Sequence, residues 1–245
     1  MRLKLRIAMI VAGLAACVPL HYLWKLFGHR SPWPRIFLFW VGYAAGMRVR
    51  VTGKPLRRHV LFVANHLSWL DIMVLAGATG TAFVSKDEVA RWPVIGWLAG
   101  LNNTIFIARS RRGAVRDQAE GLRAALIEGQ PVALFPEGTT EGGVEILPFR
   151  GSLFAALFPP LPGIKVQPVA IDYGSAGHDL AWWGDEGAGA NARRVLSRKG
   201  SARVTLNFLE PLDPGAFADR KLLAEAARRE IVDVLGASSK PADGL

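Results

Sequence analysis

Short runs of apolar, β-branched and aromatic residues recur along the chain after residue 47, and amphipathic segments lie between them. The runs predict seven strands, at residues 48–52, 60–64, 81–85, 104–108, 132–135, 166–171 and 202–209. Helical periodicity predicts helices at residues 69–77, 89–101 (broken near Pro93), 115–128, 153–158 and 216–235. The alternation predicts an α/β domain whose mixed, largely parallel sheet is flanked by helices.

Proline and glycine qualify this pattern in two places. Pro168 lies inside the sixth predicted strand and indicates an edge or an irregular pairing, because proline cannot donate to a strand ladder. The glycine-rich segment 184–191 is predicted to be a mobile surface loop, and residues 238–245 a frayed tail.

The first 47 residues have a different pattern. Residues 7–24 form an uncharged run of 18, interrupted by Pro19 and His21, and residues 36–47 form a second run of 12. The first run is borderline in length for a bilayer span and the second is too short. Flanking basic residues and interspersed tryptophans favour an interfacial or re-entrant anchor over a pair of buried core helices. The predicted division is an anchor (1–47), an α/β domain (48–237) and a flexible tail (238–245).

Charge is distributed unevenly in the same way. The chain carries 30 basic and 20 acidic residues, and its first 70 residues contain 11 basic residues and no acidic one. Anionic lipid head groups would attract this basic segment, at about 1 kcal/mol per residue near the surface. The basic residues flank apolar runs and form no dense tract, so nucleic acid is not an expected partner. Cys17, the only cysteine, lies in the first apolar run and cannot form an internal disulfide.

The segment Asn65-His66-Leu67-Ser68-Trp69-Leu70-Asp71 carries the clearest chemistry, because it follows directly on a predicted strand. Ligands of α/β sheets usually bind where the strands end. An imidazole can accept a proton from a hydroxyl near neutral pH, and a carboxylate on its other nitrogen fixes the tautomer. Five residues along a regular helix turn through about 140°, so the pairing requires His66 to precede the helix. The alternative is a histidine that merely caps a helix.

Three further segments lie at strand ends, and two of them carry residues with binding chemistry. One ends at Arg109, whose planar guanidinium can hold two phosphate oxygens. Another ends in the turn Phe135-Pro-Glu-Gly-Thr-Thr140, where Gly138 allows close approach of a ligand and Glu137 offers an acceptor for hydroxyls. The third contains the sequence Val166-Gln-Pro-Val-Ala170.

These four segments, in this order, resemble the four-block pattern of the glycerolipid acyltransferases, the bacterial 1-acylglycerol-3-phosphate acyltransferase family. The resemblance covers roughly residues 51–212, and residues 147–152 also resemble the segment that follows the third block. The chain departs from the pattern at Ala108, where a polar residue usually precedes the arginine, and at Thr140, where many members carry a basic or small residue.

The resemblance implies acyl transfer from a thioester, on coenzyme A or acyl carrier protein as the donor substrate, to a lysolipid hydroxyl. It implies no further cofactor and no metal. The first acceptor is 1-acylglycerol-3-phosphate, and a lyso-ornithine lipid or another lysophospholipid is the alternative. The implied partners are membrane lipids, at the cytoplasmic face of a bacterial inner membrane.

The implied site has His66 as general base and Asp71 as the group that orients it. Backbone N–H groups near the helix start would stabilise the oxyanion. The remaining residues would bind the acceptor, with the two arginines on its acidic head group: Asn65, Arg109, Glu137, Gly138, Thr139 and Arg150.

Two other classes fit less well. A serine hydrolase would carry a Gly-x-Ser-x-Gly elbow, and the sequence has none. A membrane-tethered lipid-binding module without catalysis would have lost the His-Asp pair, and both residues are present.

Overall fold

All seven predicted strands form one sheet in the computed structural model, which describes residues 1–28, 31–107, 114–140, 142 and 145–238. The strands are β1 (Met47–Thr52), β2 (Val60–Ala64), β3 (Ala82–Lys86), β4 (Ile105–Ile107), β5 (Val132–Leu134), β6 (Lys165–Asp172) and β7 (Ala202–Phe208). Their order is β1-β7-β6-β2-β5-β3-β4. Strands β6, β2, β5, β3 and β4 run parallel, whereas β7 is antiparallel to β6 and parallel to β1. The predicted mixed, largely parallel sheet is confirmed.

The α-helices are α1 (Arg2–Lys25), α2 (Trp33–Ala44), α3 (Leu70–Thr79), α4 (Asp87–Ala90), α5 (Ile95–Leu101), α6 (Ala114–Ile127), α7 (Gly177–Leu180), α8 (Ala188–Ser197) and α9 (Arg220–Ser238). Short 3₁₀ helices lie at Gly151–Leu157, Gly174–Ala176 and Pro214–Ala216. The predicted break near Pro93 is confirmed, because Pro93 lies between α4 and α5. The helix predicted at residues 153–158 is a 3₁₀ helix that begins two residues earlier.

Helices cover both faces of the sheet. In β2, Val60 and Phe62 pack in one hydrophobic core with residues of α3 and α8, while Leu61 and Val63 pack in a second core with residues of α6 and α9. All five residues of β2 are buried. A strand buried on both faces needs apolar side chains at every position, which explains the unbroken apolar run in its sequence.

Pro168 does not lie on an edge strand, because β6 has β2 on one side and β7 on the other. The predicted irregular pairing is present. The ladder between β6 and β7 covers only residues 169–172, and beyond it Leu209 N donates to Pro168 O at 3.0 Å. Buried Gln167 compensates, since its amide nitrogen donates to Leu209 O and Lys54 O. Of the two alternatives predicted for Pro168, the structure therefore shows the irregular pairing and not the edge strand.

The prediction of a mobile loop at 184–191 was wrong for residues 188–191, whereas residues 184–187 are a non-helical surface segment. Helix α8 begins at Ala188, and Asn191 is fully buried, with its amide nitrogen donating to Ala181 O and Glu186 Oε2. Alanine and glycine in this stretch give a weak local signal, and tertiary contacts supply the stability. Ser238 is the last residue of α9, and the rest of the predicted tail lies outside the described residues.

Helix α1 lies along the domain instead of projecting from it. Near its start, the Arg6 guanidinium donates to Ala45 O at 2.8 Å, Val195 O at 3.2 Å and Gly200 O at 2.7 Å. Near its end, Tyr22 Oη accepts a hydrogen bond from Trp97 Nε1 of α5. Within the described residues, α1 is the one helix long and apolar enough to cross a membrane, by length and composition.

Candidate active site

The carboxyl ends of three adjacent parallel strands define the site. The order β6-β2-β5 brings together the residues that follow each strand: Tyr173 after β6, His66 after β2 and Glu137 after β5. Residues 102 and 71 positions apart in sequence thereby come into hydrogen-bonding range. This is the edge of an α/β sheet at which ligands usually bind.

His66 and Asp71 form the predicted pair within the catalytic turn, which we define as residues 66–71. Asp71 is fully buried, and its Oδ2 accepts from His66 Nδ1 at 2.9 Å, Leu67 N at 2.6 Å and Ser68 N at 2.8 Å. Its Oδ1 accepts from the Tyr173 hydroxyl at 2.6 Å. Two backbone N–H groups and a hydroxyl already donate to this side chain, so its oxygens act as hydrogen-bond acceptors. Nδ1 must then donate, which leaves Nε2 as the nitrogen that can accept a proton.

The local backbone meets the condition that helical geometry imposes on the pair. Helix α3 begins at Leu70, so His66 lies four residues before it and Asp71 lies in its first turn. The prediction that His66 precedes the helix is confirmed. Backbone N–H groups near the helix start were expected to stabilise the oxyanion. Those of Leu67 and Ser68 are not free to do so, because both donate to Asp71.

The imidazole of His66 packs against two stacked phenylalanine rings. Its ring stacks on Phe135 at a centroid distance of 4.1 Å and an interplanar angle of 11°, and Phe135 stacks on Phe83 at 5.8 Å. The His66 side chain remains 18% exposed. The ring is therefore restrained on one face and by Asp71, yet a substrate can still reach it.

Glu137 joins two loops of the site through the backbone. Its Oε1 accepts from His66 N at 2.7 Å, and its Oε2 accepts from Leu147 N at 2.9 Å. Burial raises the pKa of Glu137, while the hydrogen bonds from Leu147 and His66 oppose the rise. Because the residue is only 3% exposed, this carboxylate fixes the position of His66 and does not present a free acceptor to a substrate hydroxyl.

Asn65 is likewise engaged with the backbone. Its amide nitrogen donates to Ile171 O at 3.0 Å and its amide oxygen accepts from Ile171 N at 2.8 Å. This two-way bond ties the end of β2 to β6 immediately before the catalytic turn. The structure thus gives Asn65 a scaffolding position, where the sequence predicted contact with substrate.

Gly138 and Arg150 lie directly against each other. Gly138 has φ +75°, and a Cβ at this position would lie 3.0 Å from Arg150 Cζ. Arg150 N donates to Pro136 O at 2.9 Å, and its side chain is exposed. Thr139 is exposed beside them. The structure therefore brings Gly138, Thr139 and Arg150 together near Glu137, and their contact with an acceptor stays a prediction.

Arg109, the other predicted head-group residue, lies outside the described residues, as do Arg111 and Arg112. In the part of the chain that the structure describes, no group of three or more His, Cys, Asp or Glu side chains could hold a metal ion.

Sequence reasoning missed three residues that hold the catalytic turn from a later segment of the chain. Tyr173 donates to Asp71, Trp182 N donates to Leu67 O at 2.9 Å, and Asn191 Oδ1 accepts from Trp69 Nε1 at 3.0 Å. Burial and the neighbouring Asp71 carboxylate raise the pKa of Tyr173 well above its ordinary value, so its hydroxyl remains protonated. No local sequence signal links these residues to the turn.

An α/β sheet with a histidine–carboxylate pair at its carboxyl edge fits an enzyme that activates a hydroxyl of its substrate. Ser68, the serine in the turn, is fully buried, and its Oγ accepts from Leu70 N at 3.5 Å. A protein-family model described as Acyltransferase matches residues 48–172, and the chain belongs to this acyltransferase family. This confirms the predicted family and the prediction of an acyltransferase.

Known proteins similar to the chain include two kinds of bacterial acyltransferase. It is 38% identical to a lyso-ornithine lipid O-acyltransferase of Rhodobacter capsulatus, over 98% of this chain and 92% of that protein. It is 31% identical to a 1-acyl-sn-glycerol-3-phosphate acyltransferase of Neisseria meningitidis, over 73% of this chain and 71% of that protein.

A solved structure shares the fold. The crystal structure of the 1-acyl-sn-glycerophosphate (LPA) acyltransferase PlsC from Thermotoga maritima is similar with a TM-score of 0.67 and 22% identity, and the match covers 100% of both chains. This likeness supports the mixed sheet and its flanking helices.

Proposed function

We propose that the protein transfers a fatty acyl group from an acyl thioester to the free hydroxyl of a lysolipid, with His66 as general base. The observation that carries this proposal is the hydrogen bond between His66 Nδ1 and Asp71 Oδ2, which directs Nε2 to the substrate. Nε2 accepts the hydroxyl proton as the oxygen attacks the thioester carbonyl. The tetrahedral intermediate then expels the thiolate leaving group. The imidazolium of His66 donates its proton to this thiolate, and the neutral imidazole is restored.

Asp71 supports this cycle through its charge. The buried carboxylate stabilises the imidazolium that forms when His66 accepts the proton, and it holds the ring in the tautomer with Nδ1 protonated. Coenzyme A and acyl carrier protein both present the acyl group as a thioester, so this chemistry serves either donor.

For the acceptor, we propose a lyso-ornithine lipid. The similarity to the Rhodobacter capsulatus enzyme extends over nearly the whole chain, whereas that to the Neisseria meningitidis enzyme is lower and covers less of it. The four-block pattern led us to expect 1-acylglycerol-3-phosphate first, and this lipid stays the second candidate. A lyso-ornithine lipid carries a carboxylate, and 1-acylglycerol-3-phosphate carries a phosphate.

Arg150 is the described residue best placed to hold either anionic group. Its guanidinium packs on Gly138, one residue beyond Glu137, which contacts the catalytic turn. It is exposed and makes no hydrogen bond or ion pair through its side chain to any residue that the structure describes. A planar guanidinium can bind a carboxylate or a phosphate through two parallel hydrogen bonds. Arg109 stays a predicted second contact.

The acceptor can be identified directly. Purified protein is incubated with labelled acyl-coenzyme A, and separately with acyl carrier protein charged with the same acyl group, together with a panel of lysolipids. We expect an ornithine lipid as the main product by mass spectrometry. Phosphatidate as the main product would select the second candidate, and no acylated lipid with either donor would contradict the proposed reaction.

We also propose that α1 attaches the protein to the cytoplasmic leaflet of the membrane without crossing the bilayer. Large apolar side chains of α1 are exposed, including Ile7, Val11 and Leu23, while hydrogen bonds near both ends hold the helix on the domain. A helix fastened in this way lies in the interface, with its apolar face in the acyl chains. Detergent should release the protein from membranes; complete release by high salt alone would contradict apolar anchoring.

A further inference from the structure

The catalytic turn is hydrogen-bonded to a segment that lies beyond the residues matched by the family model. That match ends at residue 172, whereas Tyr173, Trp182 and Asn191 contact Asp71, Leu67 and Trp69 respectively. Every second residue of the turn from Leu67 to Asp71 thus has a partner in this later segment. Of the three contacts, only that of Tyr173 reaches the group that orients His66.

The Tyr173 hydroxyl is the sole described donor to Oδ1 of Asp71, at 2.6 Å, and Tyr173 is 5% exposed. The other carboxylate oxygen serves His66 Nδ1 and two backbone N–H groups. A carboxylate with one oxygen fixed by the turn can still twist about its Cβ–Cγ bond unless its second oxygen is also held. The Tyr173 hydroxyl holds the second oxygen, Oδ1, by its hydrogen bond.

We propose that Tyr173 is a positioning residue for acyl transfer: its hydroxyl fixes the plane of the Asp71 carboxylate and sets how strongly that carboxylate supports the His66 imidazolium. This inference rests on the proposed role of His66 as general base. A hydrogen bond to a carboxylate spreads its negative charge. Removing the hydroxyl concentrates that charge towards Nδ1, so the imidazolium becomes more stable and the base is protonated over a wider range of pH.

The other charged groups near this pair are not altered by substitution of Tyr173. Among the described residues, the titratable groups hydrogen-bonded to the pair are Tyr173 from the segment after β6 and Glu137 from the turn after β5, and the Arg150 guanidinium lies against Gly138, next to Glu137. Glu137 contacts His66 only through the backbone N–H and is unchanged by substitution of Tyr173. A shift in the titration of His66 can therefore be attributed to the tyrosine hydroxyl.

Tyr173→Phe removes the hydroxyl and keeps the ring. We expect kcat at neutral pH to fall on the order of tenfold, as for residues that orient a catalytic group through another side chain. KM for donor and acceptor should stay within about twofold, because neither substrate contacts Tyr173 in the proposed mechanism. The acid limb of the kcat profile should move to higher pH. Tyr43→Phe, at an exposed tyrosine of α2, is the matched control and should leave the profile unchanged.

A measurement without turnover separates this inference from the proposed function. The His66 imidazole is titrated by nuclear magnetic resonance in protein labelled at histidine nitrogen, with the signal assigned by its loss in His66→Ala. In Tyr173→Phe the midpoint should move to higher pH. An unchanged midpoint together with an unchanged kcat would overturn the positioning role while leaving the acyltransferase mechanism intact. An active His66→Ala would instead contradict the mechanism.

A second variant guards against misfolding of Tyr173→Phe. The chain has three tyrosines, so 3-fluorotyrosine incorporated into a Tyr22→Phe, Tyr43→Phe double variant labels Tyr173 alone. The fluorinated phenol is a stronger donor, and it should move the acid limb and the His66 midpoint to lower pH. A shift in the same direction as that of Tyr173→Phe, or no shift, would overturn the proposal.

Discussion

Replacing the carboxylate of Asp71 by an amide tests the electrostatic part of the mechanism with little change in shape. In Asp71→Asn the amide carbonyl should take the place of Oδ2, because three donors converge there: His66 Nδ1, Leu67 N and Ser68 N. The NH₂ group then faces Tyr173, whose hydroxyl can turn and accept. The tautomer of His66 with Nδ1 protonated is therefore retained, and the substitution removes mainly the charge.

The size of the effect follows from that charge. Opposite unit charges about 4 Å apart attract by about 4 kcal/mol at an effective dielectric constant of about 20. This energy corresponds to roughly three orders of magnitude in rate, and the amide carbonyl replaces part of it. We expect kcat to fall by about 10²- to 10³-fold, with the acid limb of the pH profile moved to lower pH because the imidazolium is less stable.

The assay follows thiol release from the acyl donor in the presence of lysolipid, across pH, and circular dichroism confirms folding. Asp172→Asn is the matched control, since this carboxylate accepts one hydrogen bond from Gly174 N and does not contact His66. A folded Asp71→Asn protein with unchanged kcat, or with its acid limb moved to higher pH, would refute the electrostatic role.

Three further substitutions test the scaffold of the site. Glu137→Gln should destabilise the fold by about 1–3 kcal/mol in thermal unfolding, because its NH₂ group must face a backbone N–H. Burial raises the pKa of Glu137, so the stability that this group contributes is present below its ordinary value of 4.5 and is lost as pH rises through the folded pKa; Glu137→Gln should lack this dependence. Gly138→Ala should lower the free energy of unfolding by about 1–2 kcal/mol, because residue 138 has a positive φ. The added Cβ should also displace Arg150 and raise the KM for the acceptor. Arg6→Met removes three hydrogen bonds to the domain, and faster proteolysis within α1 with unchanged membrane binding is the expected result.

The central strands of the sheet could be predicted from the sequence because they are buried. Residues of β2 face two hydrophobic cores, so the strand consists only of apolar residues and is visible as a run. The pair of His66 and Asp71 could be predicted for a different reason: both lie within one turn of chain, so local geometry brings them together. Interactions between residues that are close in sequence, next to a clearly apolar strand, can be predicted without a structure.

Contacts between distant segments could not be predicted. Nothing near Tyr173 indicates that its hydroxyl bonds to a carboxylate 102 residues earlier. Glu137 and Asn65 were expected to contact substrate, but the backbone groups that engage them belong to other loops and strands. The sequence predicts a loop at the start of helix α8 because local helix propensity is low there, and the burial of Asn191 arises only in the folded chain. Each of these interactions exists only after the sheet has assembled.

The most direct test of the central claim is the rate at which His66→Ala acylates the lysolipid. The proposed mechanism predicts that formation of the acylated lipid, measured by mass spectrometry with saturating acyl donor, falls by about 10²- to 10⁴-fold. The matched control, His178→Ala at an exposed histidine beyond β6, should keep wild-type activity. A folded His66→Ala protein that acylates lysolipid at the wild-type rate would show that His66 is not the general base.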